Sequence, residues 1–360
     1  MPMDQKAGIG LLLSKPVHEA IGDRLAALAR ASGHTLRFVI APTRPGEPTS
    51  PEEQAAIRLA FYSRDVMQGS SKAAPSPASR AFFDILDAAP GAEWLHVCSA
   101  GIDMPIYQPT LRRAMRLTTS SGSNAHPIAQ TVVAAILAQS RGFGHWLGTQ
   151  AQRRWQPLAA AQMTRDMHEQ TAIIVGLGPI GRETGRLLKA VGMTTIGVRR
   201  GTGPVPHFDR VCRLDDVDAL LPGCDWIVLA CPLTPETRNL LSAQRMARLP
   251  ATAGVANVGR GELLDEDALV RALGEGRLRS AYLDVFATEP LPAESPLWDA
   301  PNTWISPHNA AASPGNTARV LEIFQRNFMH WLNAEPFEND ATPAAYAGTA
   351  GARATSRTSQ

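Results

Sequence analysis

Thr171-Ala172-Ile173-Ile174-Val175-Gly176-Leu177-Gly178-Pro179-Ile180-Gly181 decides how the rest of the chain is read. Residues 171–175 are a short apolar run rich in β-branched side chains, the composition of a strand buried on both faces. Gly176, Gly178 and Gly181 then fit the spacing G-x-G-x-x-G. Among 29 glycines such a spacing can arise by chance; the strand directly before it and the helix expected directly after it, over 182–191, give it meaning. Gly176 permits the tight turn, Gly178 lets the backbone approach a pyrophosphate, and Gly181 lets helix and strand pack closely, with Leu187 and Leu188 lying on the sheet. The first helical turn offers unpaired N–H groups and partial positive charge to phosphates. Pro179 has no N–H, but its fixed φ suits that turn; Ile180 completes the loop.

Working outward, the alternation of strand and helix continues downstream. TTIGV (194–198), DWIVLA (225–230), GVANV (254–258), SAYLDV (280–285) and TWISP (303–307) are short apolar runs of the kind that build a doubly wound parallel sheet. Upstream, residues 8–14 and 36–40 read as strands. Val17, Ile21, Leu25 and Leu28 mark a helix over 17–32. Four prolines make 41–51 a loop. Ala60–Tyr62 and Glu93–Cys98 are further strands, so the first part is also a small open α/β sheet. A helix is expected over 126–141, with Asn124 as N-cap and Pro127 in its first turn. Another runs over 315–333 through Val320, Ile323, Phe324, Phe328 and Trp331. Residues 336–360, rich in Ala, Thr, Gly and Ser, are expected to be a disordered tail. The fold class is α/β, with two Rossmann-like doubly wound parallel-sheet domains.

Composition narrows the function. A length of 360 residues suggests two domains. With 35 basic and 33 acidic side chains the net charge is +2, without the basic excess of a nucleic-acid binder. No apolar run reaches the length of a membrane span, and the first residues read as a strand rather than a signal peptide. Cys98, Cys212, Cys224 and Cys231 form no C-x-x-C pair and are expected as buried free thiols of a cytoplasmic protein. The nine histidines include no H-E-x-x-H, so no metal site is expected. No glycine loop is followed by G-K-[ST], which disfavours an NTPase. No tyrosine has a lysine four residues on, which disfavours short-chain dehydrogenase chemistry.

The strand after the glycine loop reports on the cofactor. An NAD binder carries an acid about 20 residues after the first glycine, for the ribose 2′-hydroxyl. Here Arg199 and Arg200 occupy that place, and no acid appears before Asp209. Guanidinium groups can fork onto a 2′-phosphate that a carboxylate would repel. The expectation is NADP(H) first and NAD(H) second; the other reading of the arginines is a solvated strand end.

Three polar residues follow later strands, where open α/β sheets hold ligands. Arg260 follows GVANVG, Glu289 lies in LDVFATEPLP, and His308 lies in SPHNA. An arginine can clamp a carboxylate and polarise the adjoining carbonyl. A histidine can supply a proton, and a glutamate beside it stabilises the imidazolium. The set suits reduction of a 2-oxo acid to a 2-hydroxy acid by a nicotinamide cofactor. Singly, each also reads as a surface arginine, a loop glutamate or a capping histidine.

VGLGPIG, CPLTPETRNLL, ANVGRGELLDEDAL, AYLDVFATEPLP and SPHNA together resemble the D-isomer-specific 2-hydroxyacid dehydrogenase family, which includes glyoxylate/hydroxypyruvate reductases, D-lactate dehydrogenases and phosphoglycerate dehydrogenases. The resemblance covers 95–333 well and 1–94 loosely. It implies that Arg260 is the substrate arginine, Glu289 the partner acid and His308 the catalytic histidine. It implies that Asp284 contacts the nicotinamide carboxamide and that Cys231, Pro232 and Thr237 surround the adenosine half; Val258 joins this cofactor set. The turn Ser99–Asp103 would hold the substrate carboxylate through backbone N–H groups, placing Ala100 and Gly101 among the substrate contacts. The family's substrate domain is discontinuous, here 1–118 plus 313–335, with the dinucleotide-binding domain, 119–312, inserted and the active site in the cleft between. Homodimers formed through the cofactor domain are also implied.

Some residues depart from the family pattern. Gln130 stands where a glutamate is frequent, His168-Glu169-Gln170 where a glycine and a basic residue are common, and Pro179 where a basic residue is frequent. Arg64, after an early strand, fits either recognition of a second anionic group or a structural pairing near Asp65. Trp146 and Trp155 fit either a pocket wall or dimer-interface packing. The preferred expectation is a cytoplasmic, NADP(H)-preferring reductase of glyoxylate- or hydroxypyruvate-type acids. The alternative on the same fold is a non-enzymatic dinucleotide-sensing corepressor or scaffold.

Overall fold

Five parallel strands, β1 (Ile9–Leu13), β2 (Leu36–Ile40), β3 (Ile57–Tyr62), β4 (Trp94–Val97) and β5 (Arg116–Thr119), form one sheet in the order β2-β1-β3-β4-β5. The computed structural model describes residues 8–47, 49–70, 74–102, 104–113 and 115–342. These divide into two compact units: unit one runs to Ser123 and resumes at Pro314, and unit two is Asn124–Ser313.

In unit one, helix Lys15–Ala31 starts where the Ser14 hydroxyl accepts the Val17 N–H. Two helices of more than four residues escaped the sequence reading among the described residues of this unit. Pro51–Ala56 begins inside the proline-rich stretch, because proline is tolerated in a first turn and Ser50 with Glu53 forms a capping box. Pro77–Ala88, capped by Ser76, buries Phe82, Phe83 and Leu86. Helix Asn316–Leu332 returns to this unit and sends Phe324 into its core, stacked on Phe61 at 4.3 Å. His96 is wholly buried between strands, with ring contacts to Phe61 and Phe324. Its nitrogens lie 2.7 Å from Thr118 Oγ1 and 3.0 Å from Ser120 Oγ.

The expected tail is corrected in its first part. Phe337 stacks on Trp94 at 4.8 Å, Glu338 pairs with Arg326, Asp340 pairs with Arg116, and the Ala341 N–H donates to Leu117 O at 2.8 Å. The partners of these residues lie on distant segments, so a local reading of composition could not reveal them. Residues 343–360 of that prediction lie outside the described residues.

Unit two holds β6 (Thr171–Val175), β7 (Thr194–Val198), β8 (Arg210–Cys212), β9 (Trp226–Leu229), β10 (Gly254–Asn257), β11 (Ser280–Leu283) and β12 (Thr303–Ile305). The order β12-β11-β10-β9-β6-β7-β8 is parallel throughout and reverses direction of build at β6 and β9, the switch point where such sheets take ligands. Strand β8 was not foreseen, being three residues long and only partly apolar. Helix Ala125–Ser140 packs on helix Pro179–Ala190. Asn124 occupies the N-cap position of the former, but its side chain makes no capping bond. No helix among the described residues is long and apolar enough to cross a membrane. All four cysteines are buried and free.

Candidate active site

The glycine loop begins where β6 ends. Gly176 has φ +98°, and a Cβ there would lie 2.6 Å from the Cys231 Cα, so the ends of β6 and β9 nearly touch. A Cβ on Gly181 would lie 1.9 Å from the Gly176 carbonyl oxygen. Gly178 differs, since a Cβ there would meet nothing within 4 Å. Its missing side chain leaves open space above the start of helix Pro179–Ala190, whose N-cap it forms. That opening, at the helix end where N–H groups are unpaired, fits a pyrophosphate. The helix starts at Pro179, three residues before the predicted start.

Around this loop the predicted cofactor residues divide. Cys231 is packed against Gly176, and burial pushes its thiol up to about 11, making it an inert wall. Thr237 is spent on its own loop: its hydroxyl donates to Pro232 O at 2.8 Å and accepts the Thr234 N–H at 2.8 Å. Val258 is buried at the end of β10. Arg199 is not one half of a simple fork. Its Nε donates to Gly201 O at 3.0 Å and its Nη2 to Gly203 O at 3.1 Å, so it organises the turn after β7. Arg200 is exposed.

Arg260, Glu289 and His308 follow β10, β11 and β12, three neighbouring strands. His308 Nδ1 lies 2.8 Å from Glu289 Oε2. The other oxygen, Oε1, accepts the Phe286 N–H at 3.0 Å, which aims the carboxylate at the ring. The hydrogen bond that the ring donates to Glu289 raises the imidazole pKa above its ordinary value, against partial burial and the positive charge of Arg260. With Nδ1 engaged, Nε2 is the ring nitrogen available to a substrate oxygen. The Arg260 Nη1 donates to Gly259 O at 2.7 Å, and Asn257 ties the loop by donating from Nδ2 to Arg260 O at 2.9 Å.

Asp284 holds the histidine loop. Its Oδ1 accepts from Ser306 Oγ at 2.6 Å and from the Asn309 and Ala310 N–H groups at 2.8 Å each. Burial raises its pKa, and these donors oppose the rise. Tyr282 Oη is 2.8 Å from Ser306 Oγ. Ser306, Tyr282 and Asn257 were missed by sequence reasoning, because each acts through a partner more than two residues away or through a backbone atom. Gly261 was missed too, though its signal was present: a glycine directly after the candidate arginine. A Cβ there would lie 1.9 Å from the Phe286 carbonyl carbon.

In unit one, Arg64 follows β3, and Ala100 and Gly101 follow β4, the adjacent strand. The Cys98 thiol, pushed up to about 12 by burial, feels the charges of both Arg64 and Asp65. The Ser99 hydroxyl donates to Gly101 O at 2.7 Å and fixes the turn. Asp103 lies outside the described residues. Trp146 is 42% exposed and Trp155 99% exposed. Among the described residues no cluster of three His, Cys, Asp or Glu could hold a metal.

The parallel sheet with a glycine loop at its switch point defines the class of fold, a dinucleotide-binding one. The sequence model for the D-isomer specific 2-hydroxyacid dehydrogenase NAD binding domain matches residues 133–310. The chain is 30% identical over 270 residues to glyoxylate/hydroxypyruvate reductase B of Pectobacterium carotovorum, covering 72% of this chain and 82% of the relative. It is 29% identical over 272 residues to glyoxylate reductase of Thermofilum pendens, covering 70% and 75%. A D-isomer specific 2-hydroxyacid dehydrogenase of Xanthobacter autotrophicus, solved with NADPH and MES, superposes with a TM-score of 0.70 at 26% identity, over 94% of this chain and 99% of that one. The chain belongs to the D-isomer-specific 2-hydroxyacid dehydrogenase family.

Proposed function

We propose that the chain reduces small 2-oxo acids of the glyoxylate or hydroxypyruvate kind to D-2-hydroxy acids, prefers NADPH to NADH, and works as a cytoplasmic homodimer. One observation carries the catalytic part: the 2.8 Å pairing of His308 Nδ1 with Glu289 Oε2, beside Arg260. A bound nicotinamide dinucleotide supplies the hydride. Gly176, Gly178, Pro179, Ile180 and Gly181 seat its phosphates, and Asp284 has a second oxygen for the carboxamide. Arg260 pairs with the substrate carboxylate and draws charge from the neighbouring carbonyl. Protonated His308 gives a proton to the carbonyl oxygen, and Glu289 stabilises the charged ring beforehand. Arg64, Ala100 and Gly101 are the substrate-binding groups of unit one.

NADPH preference is supported by the absence of an acid after β7 and by the NADPH held in the Xanthobacter relative. Arg200 is assigned the 2′-phosphate, and Arg199 shapes the turn that presents it. Dimerisation is supported by exposed Phe143, Trp146, Leu147 and Trp155, which follow helix Ala125–Ser140.

The test is oxidation of NADPH and of NADH against glyoxylate, hydroxypyruvate, pyruvate and bulkier 2-oxo acids. Turnover with the two small acids and a lower KM for NADPH are expected. Arg200→Ala should raise KM for NADPH about tenfold, the effect of one lost charged hydrogen bond, and leave NADH unchanged. A tenfold preference for NADH in the parent enzyme would overturn the cofactor assignment.

A further inference from the structure

The turn that leads to the acid orienting His308 is itself tied by a second carboxylate outside the predicted set. Glu266 opens helix Glu266–Gly274, and its Oε1 accepts the Ala287 N–H at 2.7 Å. The preceding N–H, that of Phe286, donates to Glu289 Oε1 at 3.0 Å. Two consecutive backbone N–H groups, on adjacent peptides joined at the Phe286 Cα, are thus taken by two glutamates. The 286–287 peptide, which carries the Ala287 N–H, is also pressed against Gly261, where a Cβ would lie 1.9 Å from the Phe286 carbonyl carbon and 2.0 Å from the Ala287 nitrogen. With the 286–287 peptide held between Glu266 and Gly261, the neighbouring Phe286 N–H can change direction only by rotation about the Phe286 φ and ψ. That Phe286 N–H, by holding Oε1, aims Glu289 Oε2 at His308 Nδ1.

We propose that Glu266 is a positioning residue for the Glu289–His308 pair, setting the turn geometry through Ala287 and adding negative charge behind Glu289. The proposal rests on the catalytic reading above. The charged groups acting on each member are few. His308 is faced by Glu289, Asp284 and Arg260. Glu266 is faced by Asp267, Glu262 and Glu289, and its burial raises its own pKa. Ionised Glu266 opposes negative charge on Glu289 and favours a proton on the pair, so it supports the imidazolium that reduction needs.

The test uses the full chain, with NMR titration of the His308 ring, kcat with NADPH and glyoxylate, and the Kd for NADPH. Glu266→Gln keeps an acceptor for Ala287 and removes the charge. It should keep kcat within about twofold and lower the His308 pKa by about a few tenths of a unit. Glu266→Ala removes the acceptor and should lower kcat about tenfold with an unchanged Kd for NADPH. The Gln variant restoring kcat would mark positioning rather than general stability. Parental kcat and an unshifted His308 titration in both variants would overturn the proposal. Equal loss of kcat and NADPH binding in both would overturn it too, as a folding effect. If the Ala variant does not fold, an unshifted titration in the Gln variant is enough to overturn it. Retained turnover in His308→Gln would instead sink the catalytic reading, while the titration still judges Glu266.

Discussion

His308 adopts φ +51°, left-handed backbone that side chains other than glycine seldom occupy. Its own N–H donates to Asp284 O at 2.8 Å and to Ser306 O at 2.9 Å, and Asp284 Oδ1 collects the next donors. Strain of this kind persists only where surrounding bonds over-determine it, and such positions cluster at sites of chemistry. His308→Gln should lower kcat by about a thousandfold, the scale of a lost general acid, with NADPH affinity unchanged. Calorimetric Kd values set beside steady-state rates check both halves. Glu289→Gln removes the charge that raises the imidazole pKa. The pKa then falls, the ring loses its proton at lower pH, and the high-pH limb of kcat/KM for reduction moves toward acid. His96 behaves oppositely. Burial lowers its pKa from 6.5 to about 3, so only the unfolded chain takes up the proton in between. Stability is full above about pH 6.5 and declines as pH falls toward 3, by up to about 1.4 kcal/mol per pH unit. Melting curves between pH 7 and 4 should show that slope, and a His96→Gln variant, weaker at neutral pH, should lack that share of it. Arg260, Glu289 and His308 were legible because each stands at a strand end in a spaced motif. Arg199 was only half legible, since its two carbonyl partners lie in its own turn and only coordinates reveal that it bends back to them.

Elements show the same division between what a pattern can say and what packing decides. Strands β6, β7 and β9–β12 were readable as apolar runs, and the glycine spacing was readable beside them. Strand β8 and helix Pro51–Ala56 were not, because their identity comes from pairing with β7 and from a capping box rather than from hydrophobic period. The glycines carry a sharper lesson, since the same residue type serves opposite purposes. Gly261 relieves a collision with Phe286, whereas Gly178 borders open space. Gly178→Ala should therefore leave the melting temperature nearly unchanged while weakening the dinucleotide, whose phosphate the new methyl group would obstruct. Gly261→Ala should lower both stability and kcat, because the 286–289 turn must move away. Thermal melts paired with NADPH titration distinguish the two; a folded Gly178→Ala protein with parental affinity would contradict the phosphate seat.

At the scale of the molecule, unit one is completed by residues that follow unit two in the sequence. Phe324 stacks on Phe61, and Phe337 on Trp94. The helix carrying Phe324 was legible from its spacing, but the strand-side contacts of Phe337 and Asp340 were not, since nothing near them in the sequence names Trp94 or Arg116. Phe337→Ala should cost about 2 kcal/mol in unit one, the loss of a partly buried ring and its stacking, and leave the dinucleotide affinity of unit two unaltered. Denaturant unfolding followed by tryptophan fluorescence, alongside NADPH titration, checks both. This arrangement has a consequence during synthesis. Unit two emerges from the ribosome whole, whereas the sheet holding Trp94 must wait for Asn316–Leu332 before its apolar face is covered. At roughly 5–20 residues per second, that wait is on the order of 10–40 s. The nascent chain carries a sticky, half-built first unit for that time, and a chaperone that shields aromatic surface should be needed for yield.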